Sequence, residues 1–190
     1  MVRVVAGKWR GRPLRAPRGE SVRPTTGMVR EAVFGILGAR VEGARVLDLF
    51  AGTGAMAIEA LSRGAAEAVL VESSRKAVTI LKGNLDSVGV SPDAVMAMDY
   101  RAALRKLAAR GAKFSLVFVD PPYGKGIVGE SAAELARHGV LAAGAVVAAE
   151  RAARDPLDPM PGGWELLTDR KYGDTRVTLY EVAGTSGDPS

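Results

Sequence analysis

Asp120-Pro121-Pro122-Tyr123 follows directly on the apolar run Lys113-Phe114-Ser115-Leu116-Val117-Phe118-Val119. Two successive prolines have no N–H to donate and restrict the chain, so Asp120 and the Pro121 carbonyl can be held as a pair of acceptors facing a substrate. Such a pair suits a poor nucleophile, an exocyclic amine whose lone pair is delocalised into a ring. Acceptors that grip its hydrogens orient the amine and partly free the lone pair. With the amine aimed in line at an activated carbon, transfer needs little more than proximity and desolvation. Tyr123 adds a ring on which a base would stack once splayed out of its helix. A Pro-Pro turn after a strand is common, and its weight here comes from what lies upstream.

Upstream, Asp48-Leu49-Phe50 runs into the glycine turn Ala51-Gly52-Thr53-Gly54. Glycines let a backbone approach a ligand closely, and the helix that follows presents unpaired N–H groups. The string Gly52-Thr53-Gly54-Ala55-Met56-Ala57 fits the dinucleotide pattern, with Glu72 placed 20 residues after Gly52. That alone does not separate a nicotinamide cofactor from other adenosine cofactors. Three features tilt it. Asp48 before the turn would oppose a pyrophosphate but suits a cationic amino-acid group. Asp99, with Tyr100 beside it, ends a third apolar run where an adenine amine could be met. The diproline motif has no role in hydride transfer. S-adenosylmethionine answers all three: its ribose diol wants the Glu72 carboxylate, and its ammonium and sulfonium favour Asp48. Phe50, Ala51 and Ser73 flank these positions and are counted with the expected cofactor contacts. The turn lacks the Gly-Lys-Ser/Thr of a P-loop.

Composition excludes much else. The chain has no Cys and one His, so a Cys nucleophile is impossible and no metal ligand set is expected; His138 reads as a helix-end surface residue. No apolar stretch reaches a membrane span and no signal-peptide core opens the chain, so a cytoplasmic protein with no membrane partner is expected. The net charge of +5 is unevenly placed: residues 1–40 carry nine Lys or Arg against two acids, and the other 150 residues are net −2. A basic arm ahead of a near-neutral body points to a nucleic-acid contact through Arg3, Lys8, Arg10, Arg12, Arg15, Arg18 and Arg23. Trp9 among them offers either a stacking surface or a pin that fixes the arm to the body.

These residues need a scaffold that brings strand ends together. Arg45–Phe50, Ala68–Glu72, Ala94–Met98, Lys113–Val119 and Ala145–Ala149 are short apolar runs, and amphipathic or Ala-rich segments lie between them. That alternation predicts βαβ units and a buried parallel sheet, with ligands beyond the carboxyl ends of the strands. Trp164–Leu167 and Thr175–Val182 read as a closing pair, the second alternating as an antiparallel strand does. The arm reads as a hairpin or ribbon followed by a helix through Met28 to Leu37. The expected division is residues 1–40 as arm and helix, 41–183 as catalytic domain and 184–190 as a flexible tail.

The chain resembles the RsmD-type methyltransferases, which modify N2 of a guanine in 16S ribosomal RNA. The resemblance rests on Asp120-Pro121-Pro122-Tyr123, on Asp48 through Gly54, on Val5-Ala6-Gly7-Lys8-Trp9-Arg10-Gly11-Arg12, and on Arg23-Pro24-Thr25-Thr26 through Arg30-Glu31. It implies a Rossmann-like class I methyltransferase with a seven-stranded, mostly parallel sheet whose last strand is antiparallel. It also implies S-adenosylmethionine as donor, the small ribosomal subunit or its assembly intermediate as substrate, and Thr25 and Thr26 near the cofactor and target base. Gly27-Met28 departs from the polar residues expected in relatives. A monomer is expected. Two other readings stand beside this one. A DNA adenine-N6 methyltransferase shares the tetrapeptide but normally needs a target-recognition domain, for which 190 residues leave little room. A non-catalytic RNA-binding protein of the same fold would not need both motifs intact.

Overall fold

Apolar runs such as Leu116 to Val119 and Val146 to Ala149 have no polar face, so each is stable only in a sheet covered on both sides. The computed structural model, which describes residues 2–17, 27–122 and 126–183, builds that sheet. In chain order the elements are β1 (Val2–Arg3), β2 (Pro13–Leu14), α1 (Gly27–Leu37), β3 (Arg45–Asp48), α2 (Ala55–Ser62), β4 (Glu67–Val71), α3 (Arg75–Ser87) and β5 (Val95–Met96). They continue with α4 (Tyr100–Ala109), β6 (Phe114–Val119), α5 (Ile127–His138), β7 (Leu141–Ala152), β8 (Trp164–Tyr172) and β9 (Thr175–Val182). Seven strands form one sheet in the order β5-β4-β3-β6-β7-β9-β8. The pairs from β5 to β7 are parallel, and β9 runs antiparallel to both its neighbours. The expected fold class and the reversed last strand are both present.

Side chains alternate between two cores. Val46, Leu116, Phe118, Val146 and Ala148 pack with α1, α2 and α3 on one face. Leu47, Leu49, Val117, Val119, Val147 and Ala149 pack with α4 and α5 on the other. The strand order reverses between β3 and β6, the crevice where ligands of open α/β sheets bind. The glycine turn lies there.

The arm is built into the first face. Val2 pairs with Leu14 and Arg3 with Pro13 in a short antiparallel hairpin, and Val2, Val4 and Leu14 are buried in the α1–α3 core. Glu59 of α2, wholly buried, accepts the backbone N–H of Val5 at 2.7 Å and of Ala6 at 2.9 Å. Ser62, one turn on, accepts Trp9 N–H at 2.9 Å and donates to the Ala6 carbonyl at 2.6 Å. The hairpin has to run this close. Gly7 has φ +79°, and a Cβ there would lie 1.9 Å from the Ser62 carbonyl oxygen. Trp9 is half-buried against the same core, so it pins the arm, with Lys8 Nζ 5.3 Å from its ring centroid.

Candidate active site

The glycine turn is fastened on three sides. Ala51 N–H donates to the Val71 carbonyl at 2.9 Å, Gly52 N–H to Glu72 Oε2 at 2.9 Å, and Asn84 Nδ2 to the Thr53 carbonyl at 2.8 Å. Asn84 also exchanges hydrogen bonds with the backbone of Arg15, at 2.8 and 3.0 Å, so one side chain joins the arm to the turn. Gly54 at φ +80° begins α2, and a Cβ on it would lie 2.5 Å from Leu81 Cδ1. Only glycine lets α2 start that close to α3.

Each acid expected at a strand end lines one cavity of about 1390 Å³, together with Phe50, Ala51, Gly52, Ser73 and Tyr100. Their surroundings differ. Asp48 is buried and 2% exposed. Burial and then the nearby charge of Asp120 push its carboxyl up to about 7, although the N–H groups of Phe50 and Ala57 donate to it. Glu72 places one oxygen on Gly52 N–H and the other on Ser74 N–H at 2.7 Å. Each oxygen keeps a lone pair for a ligand. Asp99 caps α4 by accepting Arg101 N–H at 2.9 Å, yet its side chain remains 57% exposed at the rim. Phe50 and Tyr100 pack as a tilted pair with ring centroids 5.1 Å apart. Ala77, Ile80 and Met98 give the same end of the cavity an apolar wall.

The other end is lined by Asp120, Pro121, Pro122, Glu150 and the β8–β9 turn Tyr172-Gly173-Asp174-Thr175. Arg30 of α1 also lines the cavity. This guanidinium is 2% exposed, donates through Nη2 to the Arg3 carbonyl at 2.6 Å, and sits 3.9 Å from Glu59 Oε2. Val2, Ala16 and Pro17 carry the arm to the cavity rim. Arg3, Lys8, Arg10, Arg12 and Arg15 are exposed along it. Tyr123, Thr25, Thr26, Arg18, Arg23 and the tail lie outside the described residues. Among the described residues no group of three or more His, Cys, Asp or Glu side chains could hold a metal ion, and no helix is long and apolar enough to cross a membrane.

The sequence reading gave no part to Glu150 or Glu59 and placed Arg30 only in the stretch that carries the family resemblance, yet each carried a signal. Glu150 is an acid directly after the apolar run Ala145–Ala149, the same pattern that marked Asp120 and Glu72. Arg30 and Glu59 are charges set among apolar helix positions, Val29 and Val33 in one case and Met56 and Ala60 in the other. A charge is buried there only with a partner, so each announces a contact from elsewhere in the chain.

A parallel sheet in this order, with one reversed strand slotted in beside β7, is the Rossmann-like class I methyltransferase fold. The chain is similar in structure to the putative methyltransferase yhhF from Escherichia coli, with a TM-score of 0.84, 35% identity, and 96% of this chain and 98% of that one covered. Within that class, residues 2–181 match the family model described as Conserved hypothetical protein 95, and the chain belongs to this family, that of the RsmD-type methyltransferases. It is 36% identical over 180 residues to the Ribosomal RNA small subunit methyltransferase D of Escherichia coli strain K12, covering 95% of this chain and 89% of that protein. Over 184 residues it is 34% identical to the putative rRNA methyltransferase YlbH of Bacillus subtilis strain 168, covering 96% and 100%.

Proposed function

We propose that this enzyme transfers a methyl group from S-adenosylmethionine to the exocyclic N2 amine of a guanine in 16S rRNA of the small ribosomal subunit. The observation that carries this reading is one cavity of about 1390 Å³ that takes in both the fastened glycine turn and Asp120-Pro121-Pro122. A pocket for one drug-sized ligand is roughly 300–1,000 Å³, so this one has room for a cofactor and a base together.

The residues present suit the cofactor, which when bound supplies a methyl group activated by a sulfonium. Glu72 is held by two backbone amides with lone pairs left for a ribose diol. Asp48 is a buried carboxyl that gains by ionising beside a cation. Phe50, Ile80 and Met98 line the part of the cavity that would border the adenine, and Asp99 and Tyr100 would form its polar rim. At the far end the Asp120 carboxylate and the Pro121 carbonyl accept the two amine hydrogens, which turns the nitrogen lone pair toward the methyl carbon. Asp120 is placed to take the proton that the amine gives up. To Tyr123 we assign stacking on the base, and to Thr25 and Thr26 contact with the two ligands.

The basic arm delivers the RNA. Its exposed cations lead to the cavity rim through Ala16 and Pro17, and phosphate contacts there fix register while the cavity reads the base. The enzyme works as a monomer in the cytoplasm, on the small subunit or its assembly intermediate. Methyl transfer from labelled donor to small-subunit particles, naked rRNA and duplex DNA tests the reading: RNA label is expected, and label in DNA alone would support the adenine-N6 alternative instead.

A further inference from the structure

We infer that Glu150 selects guanine by accepting its ring N1–H while Asp120 and the Pro121 carbonyl hold the exocyclic amine. The inference rests on the proposed guanine-N2 reading and deepens it. Val119 pairs with Ala149 in the parallel β6–β7 ladder, so the next residues, Asp120 just past β6 and Glu150 within β7, lie side by side. Neighbouring strands are about 4.8 Å apart. Leu116, Phe118, Val146 and Ala148 all face the α1 side of the sheet. The two-residue alternation therefore directs Asp120 and Glu150 to that side as well, and both line the cavity. Arg30 lies close enough for the charge of Glu150 to favour the guanidinium form. As a carboxylate beside that guanidinium, Glu150 can only accept hydrogen bonds.

Two adjacent acceptors match one standard base. Beside its exocyclic amine, guanine carries a ring nitrogen that bears a proton. The ring nitrogens beside the amines of adenine and cytosine, N1 and N3, carry lone pairs. Against those bases Glu150 would meet a lone pair, acceptor against acceptor, a mispairing that enzymes reject strongly. Glu150 thus separates guanine from the bases whose amines Asp120-Pro121-Pro122 alone could also hold.

The experiment uses small-subunit particles reconstituted with RNA whose target guanine is replaced by 2-aminopurine, which keeps the N2 amine but has an acceptor at N1. Wild-type enzyme is expected to methylate guanine at least about 100-fold faster in kcat/KM. Glu150→Gln can turn its amide N–H toward an N1 acceptor, so the preference should collapse to within about tenfold or reverse, with donor affinity unchanged. A guanine preference that survives Glu150→Gln, whatever happens to the overall rate, overturns the inference and leaves the guanine-N2 reading intact. Absence of N2-methylguanine with the wild type instead removes the reading beneath it. If Glu150→Gln does not fold, Glu150→Ala decides: removing the acceptor should collapse the preference, and a preference that survives would overturn the inference.

Discussion

The two ends of the cavity are made in different ways. At the cofactor end, the lining comes from short contiguous stretches: Asp48 to Thr53, Glu72 and Ser73, Asp99 and Tyr100. At the base end, Asp120-Pro121-Pro122 is joined by Arg30, Glu150 and the 172–175 turn, drawn from four separated parts of the chain. The first kind of site is local geometry repeated at strand ends. The second exists only once β7, β9 and α1 have converged. Substitutions at the base end should therefore alter catalysis and base choice, and those at the cofactor end should alter donor binding.

The largest separation is expected from Asp120→Ala. It should lower kcat by about 10³-fold or more, because the amine loses the acceptor that orients it. Isothermal calorimetry should show S-adenosylmethionine binding within a few-fold of wild type. If both fall together, the two ends are not separable. Glu72→Ala should do the reverse, weakening donor binding about 10- to 100-fold through loss of charge-assisted hydrogen bonds, while kcat at saturating donor changes little.

A pH experiment sharpens the contrast. The Asp48 carboxyl stands at about 7, above its ordinary value of 3.8, because burial disfavours its charged form. A bound cation favours the ionised form and lowers that value. Donor affinity should therefore rise with pH up to about 7, by at most tenfold per unit, then level off, with a proton released on binding below that point. Titration calorimetry in two buffers of different ionisation enthalpy reads the proton directly. Asp48→Asn should flatten the profile.

Gly54→Ala probes the join beneath both ends. A side chain at φ +80°, meeting Leu81 Cδ1 at 2.5 Å, should cost roughly 2 kcal/mol or more and lower Tm by about 5–10 °C in a thermal melt. The smallest effect concerns the arm. Arg10→Glu with Arg12→Glu should raise KM for RNA about tenfold and make the salt dependence of binding shallower by about 0.7–0.9 per lost phosphate contact, with donor affinity unchanged.

The same contrast explains what could be read from sequence. Buried parallel strands are continuous apolar runs, so β3, β4 and β6 and the acids that follow them were legible. Boundaries slipped where tertiary pairing decides. At the sheet edge β5 pairs only through Val95 and Met96 and is shorter than the expected Ala94–Met98. Antiparallel pairing with β9 carries β7 on through Glu150 and Arg151 to Ala152, past the apolar Ala145–Ala149 that marked it. The edge strand β8 runs to Tyr172, although exposed Leu166 and Leu167 and a register shift at Leu166/Thr168 hide any alternation. Charge counting showed the basic arm, but its anchoring depends on Glu59, Ser62 and Asn84, whose partners lie more than fifty residues away. A sequence pattern marks such residues as unusual and leaves their partners unnamed.

The central claim is that Asp120-Pro121-Pro122 presents the N2 amine of an rRNA guanine to the donor bound at the glycine turn. Nucleoside mass spectrometry of 16S rRNA tests it most directly, after incubation of unmodified small-subunit particles with S-adenosylmethionine and either wild-type enzyme or Asp120→Ala. N2-methylguanosine is predicted at one position with the wild type and absent with the variant. A methyl group on adenine or cytosine, or N2-methylguanosine undiminished by Asp120→Ala, would contradict the account.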